Sequence, residues 1–307
     1  MAEKVVIIGS GPAGLSAAIY TAREGFEPLV IAGADSGSQL LMTTTVENMP
    51  GFPEGIQGYE IVDLMRKQAQ KFGARFVDES VSGVDFKSRP FKAVAAGKTY
   101  EADSVIIATG SKFRMLGLES EAEYMGKGVS SCATCDAAFF KDKDVIVVGG
   151  GDTAMEDALF LTRFVRSVTI VHRRDIFRAS KIMQDRALSN PKIRTMFNSI
   201  VEEVKGNSQT VTSVMIKNVT TGTVTELPVG GVFIAIGHVP NSKVFEGQLA
   251  IDDQGYIITH EEVKTTVEGI FAAGDVADRT YKQASVASGD GVKAALQARK
   301  YLMEKAQ

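Results

Sequence analysis

The only two cysteines of the sequence have a spacing that predicts redox chemistry. Cys132 and Cys135 are separated by Ala and Thr, so their sulfur atoms can meet. In a cytosolic α/β protein this motif is typical of a redox dithiol, and two buried, unreactive cysteines are the alternative. A four-cysteine zinc site is impossible, and no histidine lies near the pair in sequence, so we expect no metal site.

Two glycine-rich segments predict a nucleotide-binding unit that occurs twice. Each follows a short apolar strand, residues 5–8 or 145–148, and precedes apolar residues at helical spacing. In such a turn the glycines allow a tight bend, close approach to a pyrophosphate and close packing of the helix, whose N-terminus attracts phosphate. One copy could be a plain connecting turn, but two copies indicate two dinucleotide sites. The segments are Gly9, Ser10, Gly11, Pro12, Ala13 and Gly14, and Gly149, Gly150, Gly151, Asp152, Thr153 and Ala154.

Basic residues follow the second strand of the second copy, where an NAD site has a carboxylate. They are His172, Arg173, Arg174 and Arg178. Guanidinium groups fit a ribose 2′-phosphate, so we expect NADPH rather than NADH, and a solvated basic patch is the alternative. In the first copy Ala32 and Gly33 occupy this position, and Asp35 is only a loose substitute for the ribose carboxylate.

Other apolar strands end in small turns that suit the edge of a nucleotide. One strand leads to Thr109 and Gly110, and the corresponding strand of the second copy leads to Ile236 and Gly237. Near the end of the chain, a third apolar strand delivers Gly274 and Asp275 into a turn. Gly-Asp alone is commonly no more than a turn, so this signal is modest.

The dithiol and the two nucleotide turns together predict a flavin. A nicotinamide gives up a hydride, whereas a disulfide is opened by nucleophilic attack on sulfur, so a mediator between the two is needed. Flavin can accept a hydride and then react with sulfur. We therefore expect FAD in the first copy and NADPH in the second.

Composition excludes several classes of partner. The 307 residues suffice for about two domains, and a formal net charge of −3 gives no basis for binding nucleic acid. No apolar run approaches the about 18 residues that span a bilayer, and the N-terminal apolar stretch is too short for a signal peptide. We expect that the protein does not bind a membrane and that it is located in the cytoplasm.

The residues resemble the low-molecular-weight, bacterial-type thioredoxin reductases over nearly the whole chain. The resemblance is carried by the first glycine turn, by Val46 to Phe52, by the string Cys-Ala-Thr-Cys-Asp at 132–136, by the basic segment at 172–179 and by Phe271 to Asp275. It implies an α/β fold with two Rossmann-like dinucleotide-binding domains. The FAD domain would comprise residues 1–113 and 243–307, and the inserted NADPH domain, with the dithiol, residues 114–242. A homodimer is also implied.

The resemblance also assigns roles to residues by position. Cys135 would face the flavin, Cys132 would attack the oxidised partner, and Asp136 would be the acid or base that handles the thiol proton. The flavin and its adenine, ribityl and pyrophosphate groups would contact Gln39, Asn48, Val81, Asp275, Lys282, Gln283 and Ala284. The chain departs from the family pattern at Ser38, Ala137 and Lys282, of which Lys282 is the most consequential, since lysine cannot reproduce an arginine fork.

The predicted function is NADPH-dependent reduction of a thioredoxin-like protein disulfide. An NAD(P)H oxidase or a ferredoxin-linked flavoprotein on the same fold is the enzymatic alternative, and a flavin-binding redox sensor without turnover is another. Nicotinamide and disulfide must both reach the flavin from one inserted domain. We therefore expect that domain to rotate about connections near residues 112–116 and 240–245.

Overall fold

The structure, a computed structural model, describes residues 2–34, 38–42 and 45–305. Asp35 and Gly37 lie outside the described residues. The chain divides into two compact units: a discontinuous unit of residues 1–112 and 239–307, and an inserted unit of residues 113–238. The predicted fold class, α/β with two Rossmann-like units, is confirmed by the two sheets described below.

The secondary structure alternates between strands and helices in both units. In chain order, the strands of the described residues are β1 (Glu3–Ile8), β2 (Leu29–Ile31), β3 (Thr45–Val46), β4 (Ile56–Gln57), β5 (Arg75–Val77), β6 (Val81–Asp85), β7 (Phe91–Ala95), β8 (Lys98–Ile107), β9 (Ser111–Phe113), β10 (Val129–Ser130), β11 (Asp144–Gly149), β12 (Ser167–Val171), β13 (Ile193–Met196), β14 (Ser199–Gly206), β15 (Val211–Asn218), β16 (Val224–Pro228), β17 (Gly231–Ala235), β18 (His238–Pro240) and β19 (Ile270–Ala272). The helices are α1 (Pro12–Arg23), α2 (Gly58–Lys71), α3 (Glu119–Glu123), α4 (Ala133–Asp136), α5 (Asp152–Leu161), α6 (Lys181–Leu188) and α7 (Ala284–Lys305). Short 3₁₀ turns cover Gln39–Met42, Ala137–Phe140, Lys243–Phe245 and Gly274–Val276.

The sheet of the discontinuous unit has the order β5-β2-β1-β8-β7-β6, and β19 pairs with the end of β8. Strands β5, β2, β1, β8 and β19 are parallel, and β6 and β7 are antiparallel additions. Val5 to Ile8 are all buried. Parallel strands are covered on both faces of the sheet, so such strands are apolar throughout. The carboxyl ends of β2, β1, β8 and β19 therefore lie side by side.

The inserted unit repeats this arrangement. Its five-stranded sheet has the order β10-β17-β11-β12-β13 and is parallel, and a second sheet, β14-β15-β16, is antiparallel. Strand β11 lies between β12 and β17, as β1 lies between β2 and β8. Each glycine turn thus leaves a central strand of its sheet, the position where doubly wound sheets bind ligands.

The chain passes between the units at β9 and β18, which pair with each other. In the discontinuous unit, the Asn241 amide donates to the Gly110 carbonyl, and its side chain donates to the Thr109 carbonyl. The rotation expected about these connections stays a prediction. Among the described helices, none combines the length and the apolar character that a membrane span requires.

Helices α1 and α7 approach each other through small residues. The buried face of α7 carries Ala287, Gly291, Ala294, Ala295 and Ala298. A Cβ atom added to Gly291 would lie 2.0 Å from the backbone oxygen of Ala13 at the start of α1. This contact is backbone against backbone, so no side-chain rotation can relieve it. The position of α7 beside the first glycine turn therefore depends on the absence of a side chain at residue 291.

We expect Gly291→Ala to lower the free energy of unfolding by about 1–3 kcal/mol, because the two helices must separate to admit the methyl group. Gly289→Ala is the matched control on the same helix. A Cβ atom at residue 289 would meet nothing within 4 Å, and alanine stabilises a helix by about 0.5–1 kcal/mol relative to glycine. In calorimetry, the unfolding midpoint should fall for Gly291→Ala and rise for Gly289→Ala. An equal or higher midpoint for Gly291→Ala would contradict this packing argument.

Candidate functional site

Two glycines of the first turn are required by packing within the protein. Gly9 has a φ of +113°, and a Cβ atom there would lie 2.2 Å from the carbonyl oxygen of Ala108, the residue after β8. A Cβ atom on Gly14 would lie 2.0 Å from the Gly9 carbonyl oxygen. These two glycines let β1, its turn and α1 approach one another, as the sequence predicts for the first and last glycine of the turn.

Gly11 differs because nothing in the described protein requires its small size. A Cβ atom there would meet only the Ser38 hydroxyl oxygen, at 3.8 Å, and its φ of −75° suits any residue. Gly11 is the N-cap of α1, and Pro12 is the first helical residue. The open space therefore lies at a helix N-terminus, where free N–H groups and the helix dipole attract phosphate.

The second turn shows the same division between packing and open space. A Cβ atom on Gly149 would lie 2.4 Å from the Ala235 carbonyl oxygen, whereas one on Gly151 would meet nothing within 4 Å. Ala154 is buried in the position of the last glycine. Thr153 is exposed in the first turn of α5, while the Asp152 carboxylate accepts two hydrogen bonds from Ser180, both at 2.8 Å. Asp152 thereby ties the start of α5 to the start of α6.

The structure brings Gln39 and Asp275 together although 236 positions separate them. The Gln39 side-chain nitrogen donates to the Ser111 carbonyl at 2.7 Å and lies 3.4 Å from a carboxylate oxygen of Asp275. Asp275 follows Gly274 at the carboxyl end of β19, beside Thr109 and Gly110 at the end of β8. Burial, with the charge of Asp278 second, raises the pKa of Asp275 to about 6. Further hydrogen-bond donors, such as hydroxyl groups of a ligand, would lower this pKa and favour the anion.

A second distant pair lies in the same unit. The Asn48 side chain donates to the Gln283 side-chain oxygen at 3.1 Å, just before α7 begins at Ala284. The Lys282 amide donates to Asp278 at 2.9 Å, and its side-chain ammonium donates to the Arg279 carbonyl. The ammonium nitrogen lies 5.6 Å from the centroid of the Tyr256 ring. Burial lowers the pKa of Lys282.

Val81 begins β6, directly after a segment that passes the carboxyl end of β2. In that segment the Ala32 amide donates to the Val77 carbonyl at 2.8 Å, and the Gly33 amide donates to the Glu79 carbonyl at 3.1 Å. The structure therefore places Val81 near the strand end at which the sequence predicts the adenosine part of a dinucleotide.

The basic segment after β12 closes over the second glycine turn. The amides of Arg178 and Ala179 donate to the Gly150 carbonyl at 2.7 and 3.1 Å. His172 is buried beneath the turn, and a Cβ atom on Gly150 would lie 2.3 Å from its ring. Its Nε2 atom lies 3.0 Å from the Ile176 carbonyl oxygen, and burial lowers its pKa. The structure thus gives His172 a packing role.

The three arginines of this segment are exposed. Arg173, Arg174 and Arg178 form no salt bridge with any carboxylate in residues 2–34, 38–42 and 45–305. Gly237, after Ile236 at the end of β17, accepts a hydrogen bond from the Arg114 amide at 2.9 Å. Unpaired guanidinium groups next to the open turn at Gly151 can bind an anion there.

The cysteines form a disulfide, which confirms that the C-x-x-C spacing lets the sulfur atoms meet. Their Cα atoms are 5.3 Å apart, with Cys132 as the N-cap of the short helix α4. Cys135 is exposed and Cys132 is half-buried. The Thr134 hydroxyl lies 3.4 Å from the sulfur of Cys132. The disulfide is therefore accessible within its own unit.

Asp136 is held by a residue that the sequence analysis did not single out. The Ser130 hydroxyl donates to the Asp136 carboxylate at 2.6 Å and accepts a hydrogen bond from the Cys132 amide at 3.0 Å. Burial raises the pKa of Asp136, and the bond from Ser130 opposes this change. A serine two residues before a reactive cysteine was the only signal in the sequence.

Comparisons with known proteins agree with this geometry. The model of the family "Pyridine nucleotide-disulphide oxidoreductase" matches residues 3–291. The chain is 52% identical over 303 residues to a thioredoxin reductase of Rickettsia typhi, covering 97% of this chain and 98% of the relative. It is also 52% identical over 304 residues to one of Streptomyces coelicolor, covering 98% of this chain and 94% of the relative.

A solved structure of a thioredoxin reductase from Giardia duodenalis superposes with a TM-score of 0.93 at 43% identity, covering 98% of both chains. Fold, sequence and the residues of the two glycine turns and the dithiol all point to the same group of enzymes. The chain belongs to the pyridine nucleotide-disulphide oxidoreductase family and, within it, to the thioredoxin reductases.

Proposed function

We propose that the protein reduces the disulfide of a thioredoxin-like protein with electrons from NADPH, passed through FAD and the Cys132–Cys135 pair. In the overall reaction, NADPH, one proton and the partner disulfide give NADP⁺ and two partner thiols. The observation that carries this proposal is an accessible C-x-x-C disulfide in a chain with two open glycine turns. Each turn lies at the N-terminus of a helix of ten or more residues.

The discontinuous unit is the proposed FAD domain. The space at Gly11 suits the pyrophosphate, and the residues that the resemblance assigns to the flavin lie in this unit, several of them in contact with one another. When bound, FAD would accept a hydride and pass two electrons to sulfur. Asp275 would accept hydrogen bonds from hydroxyl groups of the cofactor, and Gln39 would orient that carboxylate.

The inserted unit is the proposed NADPH domain. The space at Gly151 suits its pyrophosphate, and Arg173, Arg174 and Arg178 supply unpaired positive charge for the 2′-phosphate. His172 would support the cofactor site indirectly, because its ring packs against Gly150 in the glycine turn. The same unit carries the dithiol. The proposed binding site of the electron donor, NADPH, and the electron acceptor, the disulfide, therefore lie in one unit.

The two cysteines have separate proposed roles. Cys132, as a thiolate, would attack the partner disulfide, and Cys135 would exchange electrons with the flavin. The Thr134 hydroxyl next to the Cys132 sulfur can stabilise a thiolate there. Asp136 would exchange protons with the departing sulfur atoms.

The proposal extends to assembly and location. We propose a homodimer in the cytoplasm, with the family resemblance as support for the dimer and the redox dithiol as support for a reducing compartment. Sedimentation equilibrium of the FAD-loaded protein would show a mass twice that of the chain, and a monomer would contradict the first statement.

A direct test of the function is titration of the purified FAD-loaded protein with NADPH, followed by oxidised thioredoxin. The flavin absorption should bleach with NADPH and return with the disulfide protein under anaerobic conditions. An oxidase would recover its flavin absorption with oxygen alone, and a redox sensor would show no steady-state turnover with thioredoxin.

Replacing Arg173 and Arg174 together by alanine should remove the preference for NADPH. Each charge-assisted contact contributes about 1.5–3 kcal/mol, so kcat/KM with NADPH should fall by one to several decades while kcat/KM with NADH changes little. Arg186→Ala, an exposed arginine on α6 of the same unit, is the control. An unchanged ratio of the two kcat/KM values in the double variant would contradict the NADPH assignment.

Either Cys→Ser substitution should stop disulfide reduction, while NADPH should still reduce the flavin because hydride transfer needs no thiol. In Cys132→Ser, Cys135 is left as a lone thiolate. We expect a long-wavelength absorption band from its contact with oxidised flavin. Cys135→Ser should lack that band. The band appearing in Cys135→Ser instead would reverse the two roles.

FAD affinity should depend on pH through Asp275. Hydroxyl donors favour the carboxylate, which predominates above a pKa of about 6, so binding should weaken by up to about tenfold per pH unit below that value. Asp275→Asn should bind FAD more weakly and lose this dependence. The Kd of FAD for the apoprotein, from flavin fluorescence, measures both, and the exposed Asp253→Asn is the control. A wild-type profile in Asp275→Asn would remove Asp275 from the site.

A further inference from the structure

We propose that Ser130 is a positioning residue that holds the Asp136 carboxylate against the backbone of Cys132. This inference rests on the proposed function, in which Asp136 handles the proton of the dithiol. Ser130 is the last residue of β10 and is 4% exposed, so its hydroxyl has little access to water. Such a group must satisfy its hydrogen-bonding capacity within the protein.

The contacts of the Ser130 hydroxyl have a defined direction. It accepts a hydrogen bond from the Cys132 amide at 3.0 Å, and its one hydrogen can point to Asp136 at 2.6 Å or to the Cys132 carbonyl at 3.3 Å. The carboxylate is the closer and more strongly accepting partner. The hydroxyl therefore links the carboxylate to the amide of Cys132.

This link supplies what the short helix cannot. The Asp136 amide donates to the Cys132 carbonyl at 3.2 Å, which fixes the backbone of α4. Nothing in that bond fixes the carboxylate, whose side-chain torsions can turn to other rotamers. The hydrogen bond from Ser130 selects one of them and keeps the carboxylate on the Cys132 side of α4.

Few charged residues lie on the elements that pack against α4. Helix α5 carries three carboxylates, those of Asp152, Glu156 and Asp157. The 3₁₀ turn Ala137–Phe140 carries no charged residue. The pKa of Asp136 is raised by burial and lowered by the bond from Ser130. Loss of the hydroxyl should therefore raise this pKa further.

The proton matters in the exchange with the partner. The Cys132 thiolate forms a bond to one partner sulfur, and the other partner sulfur leaves as a thiolate. The Cys135 thiolate then forms the Cys132–Cys135 bond and displaces the second partner thiolate. The two protons of the enzyme dithiol end on the two partner thiols, and a carboxyl group held beside Cys132 can relay one of them.

The test is the pH profile of kcat/KM for oxidised thioredoxin, measured on the FAD-loaded protein. We expect Ser130→Ala to move the limb that Asp136→Asn abolishes to higher pH by about one to two units. Ser131→Ala is the matched control, since Ser131 is half-buried and its side chain makes no hydrogen bond to any described residue. It should reproduce the wild-type profile.

An isosteric pair separates the hydroxyl from packing. Ser130→Thr keeps the hydroxyl and should keep the wild-type limb, whereas Ser130→Val should shift it as Ser130→Ala does. In the Asp136→Asn background, Ser130→Ala should have no further effect on kcat/KM. A wild-type profile for both Ala and Val, or an undiminished effect of Ser130→Ala without Asp136, would overturn the proposal.

Two readouts distinguish this inference from the function on which it rests. Flavin content and flavin reduction by NADPH should be the same in all Ser130 variants. If the wild-type protein reduces its flavin but turns over no disulfide protein, the proposed function fails. If the wild-type protein turns over a disulfide protein but Ser130→Ala and Ser130→Val have the same pH profile as the wild type, the proposed function stands and the positioning role fails.

Discussion

At the glycine turns of both units, backbone packs directly against backbone. At Gly9, Gly14 and Gly149, an added Cβ atom would lie 2.0–2.4 Å from a carbonyl oxygen of the same unit. These contacts set the angle at which α1 and α5 leave their strands. Because neighbouring parallel strands end at the same edge, the loops that follow them gather around the open space at Gly11 and Gly151.

The two units use one architecture for different chemistry. The discontinuous unit carries a buried carboxyl group with a raised pKa, in contact with the side-chain amide of Gln39, and a second contact between side-chain amides, Asn48 to Gln283. The inserted unit carries exposed arginines that form no salt bridge within the part of the chain that the structure describes, on a segment bound to Gly150. The difference in charge, rather than a difference in fold, supports different proposed cofactors for the two sites.

The dithiol is organised by short-range contacts in its own unit. Two hydroxyl groups lie around Cys132: that of Ser130 on β10 at its amide and that of Thr134 on α4 at its sulfur. Asp136 is then held through Ser130. Since these residues lie within seven positions of one another, the arrangement depends on the backbone of one short segment.

The local features of this protein can be predicted from its sequence: two strand–turn–helix units, the glycines that each turn needs, and a pair of cysteines close enough to join. These features depend on residues a few positions apart, so periodicity and residue type reveal them. The contacts of Gln39 with Asp275, of Asn48 with Gln283 and of His172 with Gly150 exist only in the folded chain. Such contacts depend on which strands become neighbours in the sheet, and strand order is not encoded in the pattern of any one segment.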